Sequence, residues 1–266
     1  MRIIQTAVGP KRVPLTGYLQ DMTMDGGIRN IRPTIIILPG GGYTMRSERE
    51  RDPVALHFLS MSYNVFILDY SVNEDAGDLN PLLEISEALI RIRENAVRWM
   101  CDPTRVAVAG FSAGAHLAVS IATLHNHKRV TDVQKVTDGN NRADAVILAY
   151  PVITTGEYAH RGSIEKVTKN DEGLLELLSL EKQVTEDASP VFIWHTVTDS
   201  AVPVENSFLL AQAYRNANVP FELHLCESGD HGLSMCTDEV GTPHPGVRPW
   251  VGLATNWLNL RFMHNL

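Results

Sequence analysis

The sequence has few aromatic residues, few cysteines and no excess of positive charge. Only 7% of its 266 residues are aromatic, and its three cysteines are Cys101, Cys226 and Cys236. An odd cysteine count without a short disulfide spacing predicts reduced thiols in a cytoplasmic protein. The interval between Cys226 and Cys236 is not a common zinc spacing. The sequence therefore predicts neither a disulfide scaffold nor a metal site.

Membranes and nucleic acids are poor candidates for partners. No apolar run approaches the ~18 residues of a membrane span, and the N-terminal MRIIQTAVGP lacks the apolar core of a signal peptide. Lys and Arg number 23 against 31 Asp and Glu, which gives a net charge of −8. Because no stretch is dense in Lys or Arg, we expect binding to neither nucleic acid nor an anionic membrane.

What the sequence does contain is an alternation of strand-like and helix-like segments. The short apolar run at 34–38 predicts a strand that is buried on both faces, and the run at 145–149 predicts a further strand. Apolar residues at helical spacing over 81–100 predict an amphipathic helix. This alternation predicts one α/β domain over residues 1–266, with a doubly wound, mainly parallel sheet, and the polar stretch 154–187 predicts a small cap insertion. Further strands are predicted at 15–21, 65–70, 105–109, 191–194 and 221–226, further helices at 53–61, 113–124, 173–180, 204–216 and 250–263, and a turn at 25–30.

A G-x-S-x-G motif stands where a predicted strand runs directly into a predicted helix. The residues are Gly110-Phe111-Ser112-Ala113-Gly114. In that setting the turn is so tight that the serine is strained, and the positions two before and two after it must be small. The strain exposes the hydroxyl at the carboxyl end of the sheet. The motif therefore predicts Ser112 as a nucleophile rather than as an incidental serine in a glycine-rich turn.

A serine nucleophile needs a histidine base, which in this fold follows it in the chain. His231 lies in the loop Ser228–Gly232 after the last predicted strand, from which a side chain can reach Ser112. His195 and His224 lie on predicted strands and His116 on the predicted helix, where packing and hydrogen bonding are the simpler roles. We therefore predict His231 as the base.

The base in turn needs an orienting carboxylate, which comes between the serine and the histidine in chain order. Asp199 follows the next-to-last predicted strand and is the best candidate. Asp230 is adjacent to His231 and is poorly placed to orient its ring. Asp69 precedes the serine and is expected to bind loop amides, while Glu205 suits the first turn of a helix.

Negative charge that develops on the substrate needs backbone N–H donors that already point at it. The N–H of Ala113, after the nucleophile, is one candidate, and the glycines at 40–42 after an early strand supply others. No Gly-Lys-Ser/Thr follows those glycines, so a phosphate-binding loop is excluded. Tyr43, beside the glycines, and Phe111, beside the serine, are predicted to contact the substrate.

Together these segments resemble the α/β-hydrolase superfamily, and more narrowly its short-chain carboxylesterases with the acetyl-xylan esterase-like group. The resemblance covers nearly the whole chain and is carried by IIILPGGGY, VAGFSAGAHLA, SPVFIWHTVTDSAVPVENS and SGDHGLS. It implies Ser112, Asp199 and His231 as the catalytic triad and Gly41, Gly42 and Ala113 as oxyanion donors. It implies no cofactor and no metal, and it allows a homo-oligomer.

The sequence also departs from several branches of that superfamily. Pro39 stands where many lipase-like relatives have the histidine of an HGGG loop. Phe111 and Ala115 differ from the GDSAGG motif of the hormone-sensitive-lipase branch, and Ser112 differs from the cysteine of dienelactone hydrolases.

The leading hypothesis is a serine esterase that removes short acyl groups, above all acetyl, from a small-molecule ester such as an acetylated xylo-oligosaccharide. Feruloyl esterase, arylformamidase and small peptidase activities use the same machinery and stay open. A non-catalytic binding protein on the same fold is the competing class, disfavoured because no member of the triad is missing. A metal-dependent deacetylase would need a His/Asp cluster that the sequence lacks.

Overall fold

Eight strands form one mixed, mainly parallel sheet within residues 1–26 and 29–264, which the computed structural model describes. The strands are β1 (Arg2–Val8), β2 (Val13–Leu19), β3 (Arg32–Leu38), β4 (Asn64–Leu68), β5 (Cys101–Phe111), β6 (Ala145–Ala149), β7 (Val191–Thr196) and β8 (Phe221–Cys226). Their order across the sheet is β1-β2-β4-β3-β5-β6-β7-β8. β1 pairs antiparallel with β2, and β2 pairs antiparallel with β4. All the other pairs are parallel.

Helices cover both faces of this sheet. They are α1 (Asp52–Ser60), α2 (Asn80–Glu94), α3 (Ala96–Trp99), α4 (Ala113–Leu124), α5 (Lys128–Thr131), α6 (Arg161–Thr168), α7 (Glu172–Leu177), α8 (Glu205–Asn216) and α9 (Trp250–His264). Ile35 and Ile37 of β3 belong to one apolar cluster with residues of α1 and α9. Ile36 and Leu38, the alternate residues, belong to a second cluster with residues of α2, α4 and α8. Because side chains alternate across a strand, β3 is buried on both faces.

This architecture confirms the predicted doubly wound, mainly parallel sheet. Most predicted strands and helices lie within a few residues of the observed ones. Four elements differ, and one of them is the short helix α5, which was not predicted. The predicted helix over 81–100 is interrupted at Asn95, which separates α2 from α3. The first strand, β1, and the short helix α6 were not predicted. The predicted turn at 25–30 lies partly outside the described residues.

The polar stretch 154–187 contains the short helices α6 and α7, and its first residues are fixed by one buried side chain. Asn206 of α8 accepts hydrogen bonds from the N–H groups of Ile153 and Thr154 at 2.9 and 3.1 Å. Its amide nitrogen donates to the carbonyl of Tyr158 at 2.9 Å. Because Asn206 is fully buried, these bonds hold the stretch at the carboxyl ends of β6 and β7. Its predicted role as a cap stays a prediction.

Three further features concern the described residues. No helix among them is both long and apolar enough to cross a lipid bilayer. Their three cysteines are free. No group of three or more His, Cys, Asp and Glu side chains is arranged there to hold a metal ion.

The turn between β5 and α4 is packed so closely that its glycines have no room for a side chain. A Cβ added at Gly114 would lie 2.1 Å from the carbonyl oxygen of Leu38 and 2.5 Å from that of Pro39. A Cβ added at Gly110 would lie 2.4 Å from the carbonyl oxygen of Gly114. Because these neighbours are backbone atoms, they cannot rotate away. Both glycines of the G-x-S-x-G motif are therefore required by packing.

We expect Gly114→Ala to destabilise the protein by about 1–3 kcal/mol, because the added methyl group overlaps the backbone of β3. Gly252→Ala is the matched control, since a Cβ at Gly252 of α9 would meet no atom within 4 Å. There alanine should stabilise the helix by about 0.5–1 kcal/mol. Urea unfolding of both variants measures the difference, and wild-type stability in Gly114→Ala would contradict the packing described here.

Candidate active site

Ser112 occupies the turn that joins β5 to α4. Its backbone angles are φ 53° and ψ −117°, a region that non-glycine residues rarely adopt. Its N–H donates to the carbonyl of Ala149 at 3.0 Å, and its own carbonyl accepts from the N–H groups of Ala115 and His116. These bonds hold the strained turn between the sheet and the first turn of α4, with the serine side chain at the carboxyl end of the sheet.

A continuous chain of hydrogen bonds joins three predicted residues. Ser112 Oγ lies 2.8 Å from Nε2 of His231. The other ring nitrogen, Nδ1, lies 2.7 Å from Oδ2 of Asp199. Because the carboxylate accepts, Nδ1 carries the proton, and Nε2 is left to accept from the serine hydroxyl. The structure thus brings together the serine, histidine and aspartate that the sequence singled out.

Asp199 is buried and every hydrogen bond it makes favours its ionised form. Oδ1 accepts from the backbone N–H groups of Ala201 and Val202, at 3.0 and 2.9 Å. Oδ2 accepts from His231 and also lies 3.2 Å from Nε2 of His195. Burial raises the pKa of Asp199, but the hydrogen bonds from His195, His231 and Val202 outweigh it and leave that pKa well below its usual range. The carboxylate therefore stays charged beside the imidazole.

The loop that carries His231 is tied to the body of the protein on both sides of the histidine. Before it, the carbonyl of Gly229 accepts from the hydroxyls of Thr196 and Thr198, at 2.9 and 3.1 Å. After it, the N–H of Ser234 donates to the hydroxyl of Tyr150 at 3.1 Å. The Tyr150 ring packs edge-on against the imidazole, with 4.9 Å between ring centres. These contacts fix the ring that must reach Ser112.

The glycine loop, residues 40–42 after β3, lies directly against Ser112. A Cβ added at Gly40 would lie 3.0 Å from Cβ of Ser112, and the Gly40 N–H donates to Oε2 of Glu50 at 2.7 Å. Gly41 and Gly42 have φ of 123° and 64°, which glycine adopts without strain. Within the described part of the chain, the N–H groups of Gly41, Gly42 and Ala113 have no hydrogen-bond acceptor. Three unpaired donors therefore stand close to the serine in the chain or in the loop that contacts it: Ala113 follows Ser112, and Gly41 and Gly42 follow Gly40.

The two predicted substrate contacts do not lie in this site. The side chain of Phe111 is fully buried and packs between Tyr150 and Trp250. Tyr43 is 1% exposed, and its hydroxyl bonds to Nδ1 of His116 at 3.0 Å. Phe111 faces the core because it is the last residue of a strand that is buried on both faces. At Tyr43 the backbone is left-handed, with φ 57°, and the side chain lies in the core. The structure therefore corrects the prediction that either side chain contacts the substrate.

The other histidines that were weighed against His231 have structural partners. His116 is fully buried, and its Nε2 donates to the carbonyl of Leu178 at 3.1 Å, while burial lowers its pKa to about 4. His224 bonds to Glu222 at 2.6 Å and stacks on Phe192 of the sheet. Among the described residues, neither imidazole bonds to the hydroxyl of Ser112.

The carboxylates that were set aside also lie elsewhere. Asp69 forms an ion pair with Arg51 and lies near Arg46, so its partners are guanidinium groups and not the loop amides that were expected. Glu205 stands in the first turn of α8, as predicted. Asp230 is exposed, and the ring nitrogens of His231 bond to Asp199 and Ser112 instead.

Two features of the site were not predicted from the sequence: the burial of Glu50 and the contact of His195 with Asp199. Glu50 stands in the charged run SERER, a pattern typical of a solvated surface, yet it is buried. His195 was expected to pack within the sheet. It does so, with Nδ1 2.8 Å from the hydroxyl of Ser207, but its Nε2 also contacts Asp199. No local pattern signals either role, because both depend on which loops meet at the carboxyl end of the sheet.

The stretch 154–187 also reaches this site. His160 caps α6 by accepting from Ser163, and its pKa is lowered by burial and by the nearby His231. A Cβ added at Gly42 would lie 3.7 Å from the hydroxyl oxygens of both Ser163 and Thr44. The glycine loop is therefore lined by polar side chains on this side.

The chain is similar to several known proteins. The family model BD-FAE matches residues 21–214. Endo-1,4-beta-xylanase B of Butyrivibrio fibrisolvens is 39% identical over 214 residues, which are 78% of this chain and 33% of that protein. Acetylxylan esterase of Xylanibacter ruminicola is 29% identical over 212 residues, 76% of this chain and 41% of that protein. The chain thus spans well under half the length of these two relatives.

Solved structures match over almost the whole chain. An acetyl ester-xyloside bifunctional hydrolase from Caldicellulosiruptor lactoaceticus has a TM-score of 0.82 and 36% identity, covering 94% of this chain and 89% of that one. A carboxylesterase from Lactobacillus plantarum has a TM-score of 0.84 and 26% identity, covering 98% of both chains. The resemblance inferred from the sequence is confirmed: the chain belongs to the BD-FAE family and is an α/β-hydrolase of the esterase type.

Proposed function

We propose that the protein is a serine carboxylesterase that hydrolyses short acyl esters, above all acetyl esters of a carbohydrate. The observation that carries this proposal is the chain of hydrogen bonds from Ser112 through His231 to Asp199, at 2.8 and 2.7 Å. Such a chain turns a weakly nucleophilic hydroxyl into an attacking group, because the histidine takes the proton as the new bond forms.

In the acylation step Ser112 Oγ attacks the ester carbonyl carbon, and its proton moves to Nε2 of His231. The tetrahedral intermediate collapses when the bond from carbon to the alcohol oxygen breaks. His231 returns the proton to that oxygen, so the alcohol leaves neutral and the acyl group stays on Ser112. The ionised Asp199 stabilises the imidazolium that exists between the two transfers.

In the deacylation step water takes the place of the alcohol. His231 accepts a proton from the water as its oxygen attacks the acyl carbon, and then returns that proton to Ser112 Oγ as the ester bond breaks. The carboxylic acid leaves and the serine hydroxyl is restored. The same two hydrogen bonds serve both halves of the reaction, so no further acid or base is required.

The oxyanion of both tetrahedral intermediates is assigned to the N–H groups of Gly41, Gly42 and Ala113. Support comes from the contact of the preceding Gly40 with Ser112, from the place of Ala113 directly after the serine, and from the lack of an internal acceptor for the three N–H groups among the described residues. Each such donor is worth about 3–4 kcal/mol of transition-state stabilisation, because it is fixed before the charge develops.

The acetyl group and the carbohydrate alcohol are supported by two observations. One relative is an acetylxylan esterase and one structural neighbour is an acetyl ester-xyloside hydrolase. The exposed hydroxyl of Thr44 lies by Gly42, and the buried hydroxyl of Ser163 on the same side bonds to the half-buried ring of His160. Accessible polar groups such as Thr44 and His160 suit the hydroxyls of a sugar better than a long hydrocarbon chain.

We expect Ser112→Ala to lower kcat for p-nitrophenyl acetate by about 10^4–10^6-fold, because the attacking oxygen is removed. Ser120→Ala is the matched control. It removes a buried hydroxyl from α4 whose partner among the described residues is the carbonyl of His116, and it should keep wild-type kcat. Near-normal activity in Ser112→Ala would contradict the proposal.

A fluorophosphonate that reacts with activated serines separates this proposal from a non-catalytic binding protein. Wild type and Ser120→Ala should be labelled on Ser112, and Ser112→Ala should not be labelled. If folded wild-type protein stays unlabelled, Ser112 is not activated and the binding protein becomes the better interpretation.

A panel of p-nitrophenyl esters from acetate to octanoate tests the acyl group. We expect kcat/KM to be highest for acetate and to fall with chain length, and we expect acetate to be released from acetylated xylo-oligosaccharides. Ser112→Ala measured on the same panel gives the background rate. A preference for octanoate would contradict the acetyl assignment, and faster turnover of a feruloyl ester, an N-formyl arylamine or a peptide would assign the function to one of those alternatives.

A further inference from the structure

A buried carboxylate, Glu50, lies where three loops of the site meet. It ends the short 3-10 turn Glu48–Glu50 that precedes α1, and it is only 3% exposed. A carboxylate is rarely buried unless its oxygens are paired. The reaction proposed above uses Asp199 as its carboxylate and gives Glu50 no role. The burial of Glu50 therefore has to be explained by the groups that it contacts.

Both oxygens of Glu50 accept hydrogen bonds. Oε2 accepts the N–H of Gly40 at 2.7 Å, and Oε1 accepts the hydroxyl of Tyr150 at 2.6 Å. The direction of the second bond follows from the structure, because the Tyr150 oxygen itself accepts the N–H of Ser234. Its proton is therefore free to point at Glu50. Two acceptors and no donor are what an ionised carboxyl group requires.

Each partner belongs to a different part of the site. Gly40 precedes the oxyanion glycines and lies against Ser112. The ring of Tyr150 packs on His231, and Ser234 belongs to the loop that carries His231. The carboxylate of Glu50 therefore connects the glycine loop, through the hydroxyl of Tyr150, to the loop that carries His231.

The charge of Glu50 interacts with the charged and titratable groups around it. Burial raises the pKa of Glu50, and the hydrogen bonds from Tyr150 and Gly40 oppose that rise, as do the charges of His231 and Arg49. Because this attraction is mutual, an ionised Glu50 stabilises positive charge that develops on the His231 ring. The titratable and charged groups that face this carboxylate are Arg49, Tyr70, Tyr150 and His231, and Asp199 and His160 also act on His231.

We propose that Glu50 is a positioning residue of the esterase reaction. It holds the glycine loop in place against Ser112, and its negative charge stabilises the imidazolium of His231. This inference rests on the proposed function. Its effect lies in the transition state, where the oxyanion and the imidazolium both exist, and not in the binding of the neutral ester.

The variant that tests this is Glu50→Gln, which keeps the shape but removes the charge. The amide oxygen of glutamine can accept only one of the two donors, so either Gly40 or Tyr150 then faces an NH2 group. We expect kcat for p-nitrophenyl acetate to fall by about 10- to 100-fold, with KM little changed. The acid limb of the pH profile of kcat/KM should move to lower pH, because His231 binds a proton less readily once a negative neighbour is gone.

Glu84→Gln is the matched control. Glu84 of α2 is a fully buried carboxylate whose two oxygens also accept one backbone N–H and one hydroxyl, at 2.7 and 2.5 Å, both from Ser71. Among the described residues, its hydrogen bonds come from Ser71 and not from the glycine loop, Tyr150 or the loop that carries His231. We expect Glu84→Gln to lower the melting temperature while its kcat and acid limb stay those of wild type. A merely structural role of Glu50 would make the two variants alike.

The outcomes separate the two proposals. If wild type neither hydrolyses esters nor reacts with a fluorophosphonate, the proposed function fails. If wild type is active but Glu50→Gln keeps the kcat and acid limb of Glu84→Gln, only the inference on Glu50 fails. Should Glu50→Gln not fold, Tyr150→Phe decides, since it keeps the ring on His231 and removes the connecting hydroxyl. A lowered kcat in Tyr150→Phe supports the proposal, and a wild-type kcat overturns it.

Discussion

The tight turn at Ser112 is the constraint on which the site depends. The serine has φ 53°, a strained conformation that costs about 1–3 kcal/mol. It persists because β5 and the wholly buried helix α4 leave the chain no other path, with Gly114 pressed against the backbone of β3. A side chain at Gly110 or Gly114 would separate the helix from the sheet and move the hydroxyl. The strained turn thus puts the serine where the loops after the other strands can reach it.

Those loops are themselves fixed before any substrate binds. Two backbone amides hold Asp199, two threonine hydroxyls hold Gly229, and one carboxylate connects Gly40 to Tyr150. The bonds to Asp199 and Glu50 join buried carboxylates to their donors, and hydrogen bonds to charged groups away from solvent are the strongest ones. Fixed dipoles need not reorganise when charge develops, which is how such a site lowers a barrier.

Local signals predicted the parts of the fold and site that local chemistry controls. The apolar runs of β3 and β6 and the G-x-S-x-G turn each need only their own residues to be recognised, and the order of Ser112, Asp199 and His231 follows from the order of the strands. Phe111 and Tyr43 were misplaced because sequence proximity to the site does not say which side of the backbone a side chain takes. Glu50 was missed because a glutamate between two arginines looks like surface, and only the meeting of distant loops buries it. The helix α6 was missed because its residues are mostly polar and its contacts come from the rest of the fold.

The central claim is that Ser112 carries the acyl group during turnover. Mass spectrometry of the intact protein, quenched in acid soon after mixing with p-nitrophenyl acetate, tests it most directly, followed by peptide mapping. The mechanism predicts a single added acetyl group, located on Ser112 and lost as the ester is consumed. Turnover without an acetylated species, or an acetyl group on another residue, would contradict the account.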